Sequence, residues 1–187
     1  MPEFDYDMLV IGSGPAGQRA AIQVAKLHKK VGIVERKAAI GGVSVNTGTI
    51  PSKTLREAVL HLSSYRERAV YGASYSVKQN ISMGDLLFRT EHVIRHEIDI
   101  IRHQLSRNGV ELIGAEASFI GPHSVRLTYG TEGHAHNDVS TANVVLATGT
   151  TATRDAHIPF DGQRIFVSDD ILSLKRLPRT LTVVGRA

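Results

Sequence analysis

Polar and apolar residues alternate along the chain with different rhythms, and each rhythm predicts a different element. Met8-Leu-Val-Ile11 is an unbroken apolar run that ends at a glycine, and Val31-Gly-Ile-Val34 is a second run that ends at Glu35. Short apolar runs bounded by breakers predict strands, and the stretch between them, from Pro15 to Leu27, predicts a helix. Helical spacing returns behind a capping Ser52, where Leu55, Ala58, Val59, Leu62 and Tyr65 are expected to bury one face. Residues 69–81 are polar and Tyr-rich without a period, which predicts a surface excursion. Ser82 and Asp85 form a capping-box pattern at the start of a long helix striped by Leu86, Val93, Ile94, Ile98, Ile101 and Leu105, and Asn108-Gly109 stops it. Three partly alternating β-branched runs follow, 110–119, 124–129 and 141–146, separated by Gly121-Pro122 and by Gly130-Thr-Glu-Gly133. They predict a three-stranded antiparallel meander ending at Ala147-Thr-Gly149. Residues 150–178 read as a connector, and Leu181-Thr-Val-Val-Gly185 repeats the opening pattern of an apolar strand delivering a glycine.

The first of these patterns carries chemistry. Gly12-Ser-Gly14-Pro-Ala-Gly17, placed between a strand and a helix and followed after the next strand by Glu35, fits a βαβ dinucleotide-binding fingerprint. Gly12 suits a tight turn, Gly14 lets backbone approach a pyrophosphate, and Gly17 lets the helix pack closely. Pro15 suits the first helical turn, with Ala16 beside it, where the N–H groups and the positive dipole end favour an anion. Glu35 can accept from ribose hydroxyls and would repel a 2′-phosphate. The bland alternative is a glycine-rich turn in an unrelated α/β domain. Beyond Arg36, the Gly41-Gly42-Val43-Ser44 and Asn-Thr-Gly48-Thr49 segments predict irregular backbone passing close to something, a second wall of the same site.

Composition narrows the field. The 187 residues carry a net charge of +4 with 42% hydrophobic and 21% charged residues, as in an ordinary globular protein. The basic residues are scattered and accompanied by only five Phe and five Tyr, so no stacking platform for nucleic acid is expected. A modest positive field suits phosphate-bearing small molecules instead. No apolar run approaches membrane-spanning length and the start lacks a signal pattern, so a cytoplasmic protein without membrane partners is expected. The absence of cysteine removes disulfides, thiolate metal sites and cysteine nucleophiles. His92 and His96 stand one turn apart, but Arg89, Arg95 and Arg102 surround them and favour a solvated face; His134 and His136 read the same way, and no metal site is expected. No residue stands out as a general acid or base.

Together the Gly12 fingerprint, Glu35, Gly41-Gly42-x-Ser44-x4-Thr49-Ile-Pro-Ser-Lys53 and Ala147-Thr148-Gly149 resemble the pyridine nucleotide-disulfide oxidoreductase family. The resemblance shifts the expected cofactor to FAD. It implies adenosine ribose on Glu35, pyrophosphate on the first helix, the flavin near Gly42, Ser44, Lys53 and Gly149, and adenine near Ala115. The family's disulfide members hold cysteines where this chain has Ser44 and Thr49. Hydroxyls of far higher pKa cannot replace a dithiol relay, so disulfide reduction is excluded. What remains is hydride movement from a reduced nicotinamide through flavin to a second acceptor. The stretch from Val45 to Val59 looks closest to the soluble transhydrogenase branch, which usually has threonine at the second position but keeps cysteine at the first, from which Ser44 departs.

The resemblance implies an α/β, Rossmann-like FAD/NAD(P)-binding three-layer fold: a parallel sheet, helices on one side and an antiparallel β-meander covering the other. Residues 1–150 are expected to form the first part of an FAD-binding domain, and 151–187 a connector and the first strand of an NAD(P)-binding domain. Arg186-Ala187 does not match the start of a second fingerprint. The chain is therefore expected to be the front part of a longer, homo-oligomeric protein, to hold flavin weakly alone and to be inactive alone, with NAD(P) bound only by the whole. Two other readings stay open: a different flavin-dependent NAD(P)H oxidoreductase, such as a diaphorase or a dihydrolipoyl dehydrogenase relative without its dithiol, and a non-catalytic nucleotide-binding module.

Overall fold

The computed structural model describes residues 4–75, 77–130 and 135–185; His134 and Arg186-Ala187, singled out above, lie outside the described residues. The chain divides into two compact units, Met1–Ile50 with Ile94–Thr151 and Pro51–Val93 with Ala152–Ala187.

The first unit is built on β1 (Tyr6–Ile11), helix α1 (Pro15–Ala25) and β2 (Val31–Glu35), with β1 and β2 parallel. Parallel neighbours need a crossover, and α1 supplies it. A short helix α2 (Gly42–Asn46) follows, then α3 (Thr49–Leu62), α4 (Arg68–Tyr71) and α5 (Met83–Arg107). The remaining strands are β3 (Glu111–Gly114), β4 (Glu116–Gly121), β5 (Ser124–Tyr129) and β6 (Ala135–Leu146), and the sheet order is β3-β2-β1-β6-β5-β4.

This arrangement keeps the expected class and corrects its detail. The run 110–119 is two strands. β3 pairs parallel with β2, the ladder closing with the Ala115 N–H donating to the Glu35 carbonyl, while β4 pairs antiparallel with β5. β6 likewise serves two layers: residues 135–140 pair antiparallel with β5, and residues 141–146 pair parallel with β1. The meander is thus β4-β5-β6, and 141–146 belongs to the parallel sheet.

Each face of the parallel sheet has its own core. Val10, Val31 and Ile33 pack with Ala21 of α1, with Ile40 and Val45, and with Ile101 and Leu105 of α5. Leu9, Val34 and Ile113 pack on the opposite side against Val125, Leu127 and Val139 of the meander. Successive strand residues point to opposite faces, which is why a continuous apolar run such as Met8-Leu-Val-Ile11 marks a strand covered on both sides. Each fully buried side chain of this size stabilises by about 1.5–3 kcal/mol.

The second unit gathers a smaller core of Ala58, Met83 and Leu86, joined by Leu55, Leu62, Ile171 and Leu174; Ile171 lies in a 3₁₀ helix (Ser168–Ser173) and Leu174 caps its end. Three expectations change here. α3 begins at Thr49, so Ser52 lies inside the first turn instead of capping it, and Pro51 is tolerated there because first-turn N–H groups have no intrahelical partner. Val59 is exposed, at 41%, and Tyr65, exposed at 73%, lies beyond the end of α3, so the buried face of this helix is narrower and shorter than its spacing suggested. Residues 181–185 form no strand. By contrast the capping box holds: Ser82 N–H and hydroxyl both donate to Asp85, and the Asp85 N–H donates back to Ser82 Oγ. Lys78, 2.7 Å away, and these Ser82 bonds keep the Asp85 carboxyl well below the usual range. At the other end of α5 Gly109, at φ +70°, provides the left-handed stop.

Candidate functional site

A cleft of about 430 Å³ opens in the first unit at the ends of β1, β2 and β6. Ligands of open α/β sheets bind at the carboxyl ends of parallel strands, and this volume falls in the ordinary range for small-molecule sites. One wall is the turn from β1 into α1. Gly12 takes φ +109°, and a Cβ there would collide with the Ala147 carbonyl oxygen, so only glycine lets β1 and the end of β6 meet. A Cβ on Gly17 would collide with the Gly12 carbonyl oxygen, which fixes how closely α1 sits on the turn. Gly14 faces open space, with Pro15 and Ala16 beside it on the cleft. Gly14 is the α1 N-cap, and among the described residues no side-chain cap bond is made there. The helix end thus offers backbone donors and a positive dipole to the cleft.

The opposite wall is the loop after β2 and the start of α2. Gly42 takes φ +64°, and its Cβ would stand 2.9 Å from Gly14 Cα, so the two glycine segments approach backbone to backbone. Val43 and Ser44 continue this wall, Ala115 with Glu116 and Ala117 forms a third side, and Thr148 and Gly149 line the floor after β6.

Glu35 stands at the end of β2 on the cleft, with Arg36 and Lys37 beside it. Its Oε2 accepts from both the Ser13 hydroxyl at 2.6 Å and the Ser13 N–H at 3.1 Å, and its Oε1 accepts from the Lys37 N–H at 3.0 Å. Burial alone would push this carboxyl up. The Ser13 hydroxyl, the Lys37 and Ser13 N–H groups and the Lys37 charge outweigh burial and leave its pKa below the ordinary glutamate value. The carboxylate is therefore ionised at neutral pH. Arg36 pairs with Glu116 at 3.9 Å, an exposed contact worth about 0–1 kcal/mol.

Of the residues singled out from sequence, Gly12, Gly14, Pro15, Ala16, Glu35, Arg36, Gly42, Val43, Ser44, Ala115, Thr148 and Gly149 line this cleft. Gly17 lies behind the turn, Gly41 is buried as the α2 N-cap, and Thr49 and Lys53 are exposed residues of α3. His92 and His96 are exposed on α5, and His136 is exposed on β6. Sequence reasoning passed over Ser13. A hydroxyl between the first two fingerprint glycines, with an acid at the end of the next strand, was the available signal.

The profile of a protein family described as pyridine nucleotide-disulphide oxidoreductase matches residues 6–186. The chain belongs to this family. Among its members, the soluble pyridine nucleotide transhydrogenase of Mycobacterium bovis (strain BCG / Pasteur 1173P2) is 52% identical over 184 residues, which are 97% of this chain and 38% of that protein. The soluble pyridine nucleotide transhydrogenase of Colwellia psychrerythraea is 37% identical over 182 residues, again 97% of this chain and 38% of that protein. The solved structure of the HOCl-induced flavoprotein disulfide reductase RclA from Escherichia coli superposes with a TM-score of 0.71 at 26% identity, covering 92% of this chain and 35% of that one. The chain thus spans little more than a third of the length of the family members it matches.

The family's chemistry fits these residues. An uncapped helix end over open space, glycine backbones packed against each other and an ionised acid at the cleft edge suit a pyrophosphate and a ribose diol of a bound dinucleotide. The family's dithiol chemistry does not fit, because the chain has no cysteine.

Proposed function

We propose that this chain supplies the FAD-binding part of a flavin-dependent oxidoreductase that moves hydride between NADPH and NAD, as in soluble transhydrogenases. The observation that carries this reading is the cleft itself, with the open α1 N-terminus on one wall and the ionised Glu35 at its edge. The 52% identity to a soluble transhydrogenase supports the choice of activity. In this reading the backbone at Gly14 and Ala16 holds the pyrophosphate, Glu35 holds the adenosine ribose and Ala115 borders the adenine. Gly42, Ser44, Thr148 and Gly149 line the flavin side. FAD, when bound, supplies the hydride chemistry. The protein's part is to bind and orient it; no side chain of the cleft is assigned as acid or base.

Residues 1–150 are proposed as the first part of the FAD domain and 151–187 as the lead into an NAD(P)-binding domain. The whole protein is proposed to be a cytoplasmic homo-oligomer acting on nucleotides. Among the described residues no helix is long and apolar enough to cross a membrane.

The likeness to a flavoprotein disulfide reductase favours one second reading, another flavin-dependent NAD(P)H oxidoreductase that works without the dithiol. Two measurements decide. The purified 187-residue chain mixed with FAD is expected to retain it weakly and to show no NADPH-to-NAD transfer. The longer protein containing it is expected to be yellow and to transfer hydride from NADPH to NAD. A colourless protein that carries ADP or NAD instead would make this a nucleotide-binding module without redox chemistry, and full transfer by the 187-residue chain would refute its dependence on further domains.

A further inference from the structure

Ser13 borders the cleft but has no exposed surface of its own. Its bonds nonetheless run to both walls. The Gly41 N–H donates to Ser13 Oγ at 3.0 Å, which leaves the hydroxyl proton to be donated to Glu35 Oε2 at 2.6 Å. The Ser13 N–H fills a second position on the same oxygen, and the Lys37 N–H takes one on Oε1. A carboxylate offers about four acceptor positions. Among the described residues three are filled from within the protein, and the remaining capacity lies on Oε1.

We propose that Ser13 is the positioning residue for ribose recognition: its buried hydroxyl, oriented by Gly41, fixes the Glu35 carboxylate so that Oε1 accepts from a ribose hydroxyl of an adenine nucleotide. This rests on the reading of Glu35 as the ribose acceptor. The plain alternative is that Ser13 only ties the turn to the loop after β2. Losing a tie would weaken every nucleotide equally, whereas losing a positioning group erodes the preference for nucleotides that have the ribose hydroxyls.

The test is calorimetric titration of the 187-residue chain with ADP and with 2′,3′-dideoxy-ADP. The unmodified chain is expected to prefer ADP by roughly tenfold or more, since a hydrogen bond to a charged group is at stake. Glu35→Ala brings the two affinities close to parity. Ser13→Ala reduces the preference at least about threefold, and Ser13→Ala added to Glu35→Ala changes the ratio no further, as expected for two residues acting as one unit. Ser13→Cys, similar in shape but a weaker donor, gives an intermediate preference and decides the matter if Ser13→Ala does not fold. A preference unchanged in the Ser13 variants but abolished by Glu35→Ala overturns the positioning role and leaves the ribose reading standing. Equal affinity of the unmodified chain for the two nucleotides, or no binding of either, overturns both.

Discussion

Leu9-Val-Ile-Gly12 and Thr182-Val-Val-Gly185 are close to the same four-residue pattern, β-branched or aliphatic residues leading to a glycine. The first is the end of β1, hydrogen-bonded to β2 on one side and β6 on the other, with Leu9 and Val10 fully buried. The second has neither helix nor strand, and Val183 and Val184 are 84% and 94% exposed. Local preference for extended backbone is nearly equal in the two. What differs is neighbours: a strand is stabilised by cross-strand partners and covered faces more than by its own residues. In the first unit the glycine at the end of the run is therefore held by two ladders and becomes a wall of a cleft, while residues 181–185 have no paired strand among the described residues.

The comparison can be broken most severely at Gly17. Gly17→Val places side-chain atoms on the Gly12 carbonyl oxygen, both on backbone that cannot retreat. We expect a loss beyond about 4 kcal/mol, seen as failure to fold or to retain any nucleotide by circular dichroism and binding. Next come paired truncations. Leu9→Ala should cost about 2–5 kcal/mol in urea unfolding because its side chain fills the interface between sheet and meander. Val183→Ala should stay within about 0.5 kcal/mol. Equal losses at the two positions would show that the exposed run is packed in solution.

At the cleft edge, Glu35→Ala should weaken FAD or ADP retention by about 1.5–3 kcal/mol through lost charge-assisted hydrogen bonds. Unchanged retention would remove Glu35 from the site. The smallest expected effect is in pH. Because the folded Glu35 pKa lies below its unfolded value, its ionised form stabilises the fold above the ordinary glutamate pKa of about 4.3, and that contribution is lost as pH falls through the folded pKa. The difference in melting temperature between the unmodified chain and Glu35→Gln should accordingly narrow on acidification from pH 7 to about 3. A constant gap would mean that the carboxylate charge contributes nothing.

The features that were legible carry local signals. Glycines at 12, 14 and 17 announce the turn, the capping box at Ser82 and Asp85 announces α5, and Gly109 ends it, each by chemistry confined to a few neighbouring residues. Features set by distant partners were not legible. The division of 110–119 at Ala115 follows from β3 pairing with β2, some eighty residues earlier, and the two-layer role of β6 follows from its place between β1 and β5. The short α2 helix was hidden in a glycine-rich segment that reads as irregular backbone. Ser13 was hidden for another reason: its function is visible only once the turn folds its hydroxyl under Glu35.

The double duty of β6 has an evolutionary corollary. Because Val125 opposite Val139 sets the same strand whose far end places Leu146 opposite Ile11, the antiparallel half works as a ruler for the cleft floor. Inserting or deleting one residue between positions 140 and 146 would slide Thr148 and Gly149 by roughly 3.3 Å and swap the sides of every intervening residue. Length variation should accordingly be purged from that segment far more strictly than substitutions are.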